Sequence, residues 1–188
     1  MKLILASGSP RRRELLGFYT KEFDVCVSKF DERAVQAPTP AALAGALARG
    51  KCLAVAASHP GCVVVGSDTV VELDGEVFGK PQDAGDARRM LRALSGRTHE
   101  VHTGVCVSDG ARTESFVDTC KVTFFPIPEA ELERCIASGE PFDKAGAYAI
   151  QGRAALWLDR LEGDYYTIMG LPVSRTARLL DRFNLEKR

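Results

Sequence analysis

Cys62-Val63-Val64-Val65-Gly66 runs without a polar side chain and leads straight into Ser67-Asp68-Thr69. A strand that is apolar on both of its faces belongs where both faces of a sheet are covered by other layers. The flanking sequence supplies those layers. Lys2 to Ala6 reads as another short buried strand, and Ser9-Pro10 provide a cap and a first-turn proline for a helix through Leu16. Glu22 to Ser28 alternates, with Phe23, Val25 and Val27 on one side, which predicts a half-exposed strand. Thr39-Pro40 opens a long Ala/Leu-rich helix ending near His59-Pro60-Gly61. The strand resumes at Val70 to Leu73, and Asp74-Gly75 turns it into a hairpin. Asp83 to Ser95 and Pro128 to Ser138 read as helices stopped by Gly96 and Gly139. Arg97 to Val107 and Ser115 to Phe125 read as long strands joined around Asp109-Gly110. A strand near Ala155 to Leu161 and an amphipathic helix opened by Leu171-Pro172 complete the chain. Strands and helices interleave throughout, so the expected fold is α/β. The hairpin signals favour a mixed sheet over a parallel one.

The 25 Lys plus Arg against 25 Asp plus Glu in 188 residues leave no summed basic field for duplex nucleic acid or an anionic membrane. No nucleic-acid polymer is therefore expected as a partner. Leu3 to Ala6 is too short for a signal-peptide core, and no apolar stretch approaches the ~20 residues of a membrane span. The expectation is a cytoplasmic protein of one domain, residues 1–188, with Phe125-Pro126-Ile127-Pro128 as the joint between lobes. Cysteines 26, 52, 62, 106, 120 and 135 form no C-x-x-C pair and read as buried free thiols.

Chemistry is suggested at a few positions. Consecutive arginines at the start of a helix oppose its dipole, and an anion bound there reverses that cost. Ser7-Gly8-Ser9-Pro10-Arg11-Arg12 therefore reads as a phosphate cradle, with hydroxyls and guanidinium forks as donors. Asp68 ends a buried valine run, where open α/β sheets form their ligand crevices, and a buried carboxylate needs a metal, a lysine or a water. Lys51 interrupts the apolar stripe through Leu47 and Val55. Its ammonium either reaches inward or snorkels to solvent. Lys80 stands in a stiff loop, Phe78-Gly79-Lys80-Pro81. Asp31 and Glu32 offer a second carboxylate that, with Asp68, could complete an all-oxygen Mg²⁺ or Mn²⁺ site. Neither a Walker loop nor a dinucleotide fingerprint is present. His99-Glu100-Val101-His102 is not a zinc pair, since in a strand the two imidazoles point to opposite faces.

LASGSPRRRELL, GSDTVV, FGKP, SGRTHEVHTGV, FDKAGAYAIQG and GDYYTIMGLP follow one another from Leu5 to Pro172. Together they resemble the Maf family of nucleoside triphosphate pyrophosphatases over nearly the whole chain. The resemblance implies an elongated mixed sheet flanked by helices, with two lobes around a cleft, similar to the inosine triphosphate pyrophosphatases. It implies attack of water on the α-phosphorus of a nucleoside triphosphate, with a divalent metal cation, Mg²⁺ or Mn²⁺, as cofactor. Asp68 would be the catalytic carboxylate, acting on the water or through the metal, Ser9, Arg12, Lys51 and Lys80 would bind the phosphates, and Glu32 with Asp68 would hold the metal. The DKAGAYAIQG block is similar to the branch acting on dTTP and UTP, in which Arg11, Thr69 and Gln151 match the positions linked to substrate choice. A glutamine amide suits the O4 acceptor and N3–H donor of uracil or thymine. The implied partner is a small nucleotide, with a homodimer compatible with the family. The resemblance also carries a different reading, a nucleotide-binding regulator of septum formation with little turnover.

Overall fold

The computed structural model describes residues 1–185; residues 186–188, the end of the expected domain, lie outside the described residues. The elements are β1 (Lys2–Leu5), α1 (Pro10–Leu16), β2 (Asp24–Val25), α2 (Pro40–Ala56), β3 (Cys62–Leu73), β4 (Glu76–Phe78), α3 (Ala84–Leu94), β5 (Thr98–Ser108), β6 (Thr113–Phe124), α4 (Glu129–Ala137), β7 (Leu158–Glu162), α5 (Tyr165–Met169) and α6 (Val173–Leu180). They form one mixed seven-stranded sheet in the order β2-β1-β3-β5-β6-β7, with β4 on β3. β1 runs parallel to β2 and β3, and the other pairings are antiparallel. This is the mixed α/β architecture expected from the sequence. No helix among the described residues is long and apolar enough to cross a membrane.

The helix starts follow from local chemistry. Ser9, Thr39 and Asp83 each accept a bond from the backbone N–H three residues on, capping α1, α2 and α3. β3 explains the apolar run. Its odd residues Val63, Val65, Val71 and Leu73 enter the large core with α3, α4 and α6, while Val64 packs under Cys52, Val55 and Ala56 of α2 and Val70 under Ala44 and Leu47. All six cysteines are free thiols, four of them buried.

Some boundaries differ from the sequence reading. β3 continues unbroken through Ser67-Asp68-Thr69, because those residues pair in register with Val105, Gly104 and Thr103 of β5. β2 shrinks to two residues: among the described residues it is an edge strand paired with β1 alone, and Val25 and Val27, expected on a covered face, are exposed. β7 starts at Leu158 because Arg153–Leu156 close a 3-10 turn. α5 has no counterpart among the elements expected from the sequence; five residues suffice because Asp164 caps its start and Gly170, at φ 105, ends it.

α2 lies unusually close to the sheet. A Cβ on Gly104 would stand 2.3 Å from the Ala44 carbonyl oxygen, so the helix backbone rests where any larger residue would push it away. Gly104 is also the register partner of Asp68. The same close approach therefore lowers Lys51 onto Asp68.

Candidate active site

On one edge of β3, β1 pairs only as far as Val65, and β4 begins only at Val71. Between them Gly66 to Val70 has no strand neighbour on that side among the described residues, and here the sheet opens into a cleft of about 480 Å³. Its lining includes Ser9, Arg11, Arg12, Glu32, Lys51, Asp68, Thr69 and Lys80, which are eight of the nine site residues expected from the sequence. Gln151 is the exception. It is exposed and lies outside the lining, although the preceding residue, Ile150, contributes to it. A larger hollow of about 640 Å³ lies near Met1, Phe23 and Leu185 and takes in none of these nine.

The Lys51 ammonium reaches inward. It contacts Asp68 Oδ1 directly and stands 3.1 Å from Glu32 Oε1. The Lys51 and Asp68 side chains are only 14% and 12% exposed. A carboxylate so shielded is held by its partner, since leaving it unpaired would be costly. Glu32 comes from the loop before α2, where the Asp31 side chain accepts the Arg33 N–H and closes a single 3-10 turn. The loop is seated by Phe30. A Cβ on Gly50 would fall 2.3 Å from that ring, so the aromatic side chain uses the bare helix surface left by glycine.

Arg12 is more committed than its sequence position suggests. Nε donates to the Gly170 carbonyl at 3.0 Å, Nη2 to Thr69 Oγ1 at 3.1 Å and Nη1 to Ser7 Oγ at 3.4 Å. Burial lowers its pKa from the usual arginine value, while the nearby Asp68 works in the opposite direction. Two of its five N–H donors remain for a ligand. Thr69 Oγ1 also meets Thr103 Oγ1 at 2.9 Å, and Thr103 donates to the Thr167 carbonyl at 2.7 Å. Ser67 Oγ lies 2.8 Å from the same Gly170 carbonyl. These bonds fix α1, β3 and α5 around the cleft.

Three lining residues with polar side chains escaped the sequence reading: Asp143, Lys144 and Tyr148. The signal was present in the FDKAGAYAIQG block, where a Lys stands beside an Asp and before glycine. Tyr148 Oη lies 2.8 Å from Nε2 of buried His99. His102 points to the other face of the sheet, 2.7 Å from Glu72 Oε2, as strand alternation predicts for the two imidazoles.

Among the described residues, metal binding has two candidate locations. Glu32 and Asp68 both aim at the point occupied by the Lys51 ammonium, and their hard oxygen donors fit the preference of Mg²⁺ or Mn²⁺. Glu72, Glu100 and His102 also bring potential ligand atoms within 4.8 Å of one another, but none of them lines the cleft.

The overall arrangement is shared with solved structures. The fold matches a Staphylococcus aureus Ham1 protein with a TM-score of 0.57 at 13% identity, covering 97% of this chain and 99% of that chain. It matches a HAM1 protein from Coxiella burnetii with a TM-score of 0.52 at 12% identity, over 97% and 100%. At the sequence level the likeness is much higher. A dTTP/UTP pyrophosphatase from Bacillus cytotoxicus is 45% identical over 183 residues, covering 97% of this chain and 96% of that protein. A dTTP/UTP pyrophosphatase from Bacillus velezensis is 45% identical over 185 residues, covering 98% of both. The model of the family described as Maf-like protein matches residues 2–183, and this chain belongs to that family.

Proposed function

We propose that this protein is a nucleoside triphosphate pyrophosphatase that hydrolyses dTTP and UTP to the monophosphate and pyrophosphate. The observation that carries this reading is the Asp68–Lys51–Glu32 cluster, set in a cleft that also gathers Arg11, Arg12 and Lys80. The relatives named as dTTP/UTP pyrophosphatases support both the reaction and the pyrimidine preference.

In this reading Lys51 orients the Asp68 carboxylate, which accepts a proton from the attacking water as the new oxygen–phosphorus bond forms at the α-phosphorus. The bond from that phosphorus to the oxygen bridging the α- and β-phosphates breaks, and pyrophosphate leaves with the electron pair. Charge accumulates on phosphoryl oxygens, so positioning and electrostatic stabilisation supply most of the acceleration. Ser9, Arg12 and Lys80 serve that role, with the remaining Arg12 donors directed by its bonds to Gly170 and Thr69. Glu32 and Asp68 would hold a divalent cation, which when bound neutralises phosphate charge and polarises the reacting group. Arg11, Thr69 and Gln151 would select the base. For Gln151 to take part, the base must extend past Ile150 to the rim of the cleft. A cytoplasmic location, a homodimer and indifference to nucleic-acid polymers complete the proposal.

The test is pyrophosphate release from dTTP, UTP, CTP and GTP with Mg²⁺ or Mn²⁺. We expect dTTP and UTP to lead, and equal rates on all four would overturn the pyrimidine assignment. Asp68→Asn should lose turnover by about 100-fold or more while remaining folded, in line with loss of a general base. Wild-type rates in that variant would remove Asp68 from the mechanism.

A further inference from the structure

The cations of the cleft are not equivalent once their partners are counted. Lys51 meets both Asp68 and Glu32, and Arg12 spends three N–H groups on a carbonyl and two hydroxyls. These two cations and two carboxylates are formally neutral together. A second group is not. Lys80 has no ion-pair partner among the described residues, while Lys144 pairs with Asp143, whose charge also acts on Arg11. Three cations therefore share one carboxylate, a surplus of two positive charges in the part of the cleft built from α1, the loop after β4 and the segment around Lys144.

That segment is built to hold its geometry. Gly146 N–H donates to the Gly79 carbonyl at 3.1 Å, tying the Lys144 segment to the loop that carries Lys80. Gly146 and Ala147 both have left-handed backbone, at φ 72 and φ 62, and Ala147 is fully buried. A non-glycine residue persists in that conformation only where its surroundings impose it. The two partners of the ion pair also differ in exposure: the Lys144 side chain is 17% exposed and that of Asp143 74%. The ammonium is thus sheltered in the cleft while its counter-ion stands at the solvent edge, where an ion pair is weak and a polyanion can replace it.

We propose that Lys144 forms, with Lys80, the subsite for the two terminal phosphates that leave as pyrophosphate, and that Asp143 is the counter-ion holding Lys144 in place until phosphate displaces it. This rests on the pyrophosphatase reading. Truncating the Lys144 side chain removes its contact with Asp143 but leaves the backbone hydrogen bonds of the segment intact.

The experiment is calorimetric titration of wild type, Lys144→Ala, Lys144→Arg and Asp143→Asn with inorganic pyrophosphate and, separately, with thymidine monophosphate. Lys144→Ala should weaken pyrophosphate binding by about 10-fold or more and leave the monophosphate within about 2-fold, since one charge-assisted contact is lost at one end of the ligand. Lys144→Arg should recover most of the loss. Asp143→Asn should tighten pyrophosphate binding by about 3-fold, an effect opposite in sign to structural damage. Unchanged pyrophosphate binding in Lys144→Ala, an equal loss for both ligands, or weaker pyrophosphate binding in Asp143→Asn would overturn the subsite. If wild type hydrolyses dTTP while any of these occurs, only the subsite falls; if wild type neither hydrolyses nor binds nucleotide, the pyrophosphatase reading falls with it.

Discussion

His99 shows how burial of one side chain sets a property of the whole protein. It is 2% exposed, its ring stands 5.0 Å from that of Phe124, and Nε2 is 2.8 Å from the Tyr148 hydroxyl, while Nδ1 has no hydrogen-bond partner among the described residues. Burial lowers its pKa from 6.5 to about 4, so the folded protein keeps this imidazole neutral where the unfolded chain would protonate it. The resulting contribution to stability is complete above the unfolded pKa and is lost as pH falls toward the folded one. Between about pH 7 and about pH 5 the loss should be about 2 kcal/mol. Urea denaturation at the two pH values measures it, and His99→Gln should flatten that part of the dependence; an unchanged slope would assign it to other groups. Because Tyr148 lines the cleft, His99 belongs to the support of the site although it touches no ligand position. The sequence marked His99 only as half of a false zinc motif, since its partner lies 49 residues away.

At the scale of elements, α2 and its seat on the sheet decide whether a site exists. Its start was legible in Thr39-Pro40, because a cap and a first-turn proline act within one helical turn. The stripe through Leu47, Lys51 and Val55 was legible for the same reason. Whether Lys51 turned inward was not, because that depends on how near the helix comes to β3 and β5. Gly104→Ala tests this. The added methyl would meet backbone, which cannot swing aside as a side chain can. Overpacking of this kind should cost about 3 kcal/mol in urea denaturation. Turnover should fall as well, because α2 would shift relative to Asp68. Full activity with wild-type stability would show that the close approach is not needed. The edge strand β2 teaches the converse: its alternating pattern predicted a longer strand, but with β1 as its only neighbour the apolar side of that pattern had nothing to cover it.

At the scale of the molecule, Arg12 links parts of the chain that are far apart in sequence, bonding to Ser7, Thr69 and Gly170. It should act on stability as well as on substrate. Arg12→Lys keeps the charge but loses the fork, and we expect about 2 kcal/mol of destabilisation by thermal or urea unfolding, together with weaker triphosphate binding. A variant as stable as wild type would reduce Arg12 to a phosphate ligand alone. What the sequence determined by itself was whatever depends on near neighbours: the caps, the turn residues, the two-faced apolar strand, and the order of blocks that resembles the Maf family. Those signals act within a few residues and survive any packing. Only the tertiary structure decided that Lys51 bridges Asp68 and Glu32, that Arg12 is largely occupied, that Lys144 joins the cleft and that Gln151 lies outside its lining. These depend on strand register, on the gap between β1 and β4, and on a helix backbone resting on a glycine, which are contacts between residues far apart in the chain that no local pattern encodes.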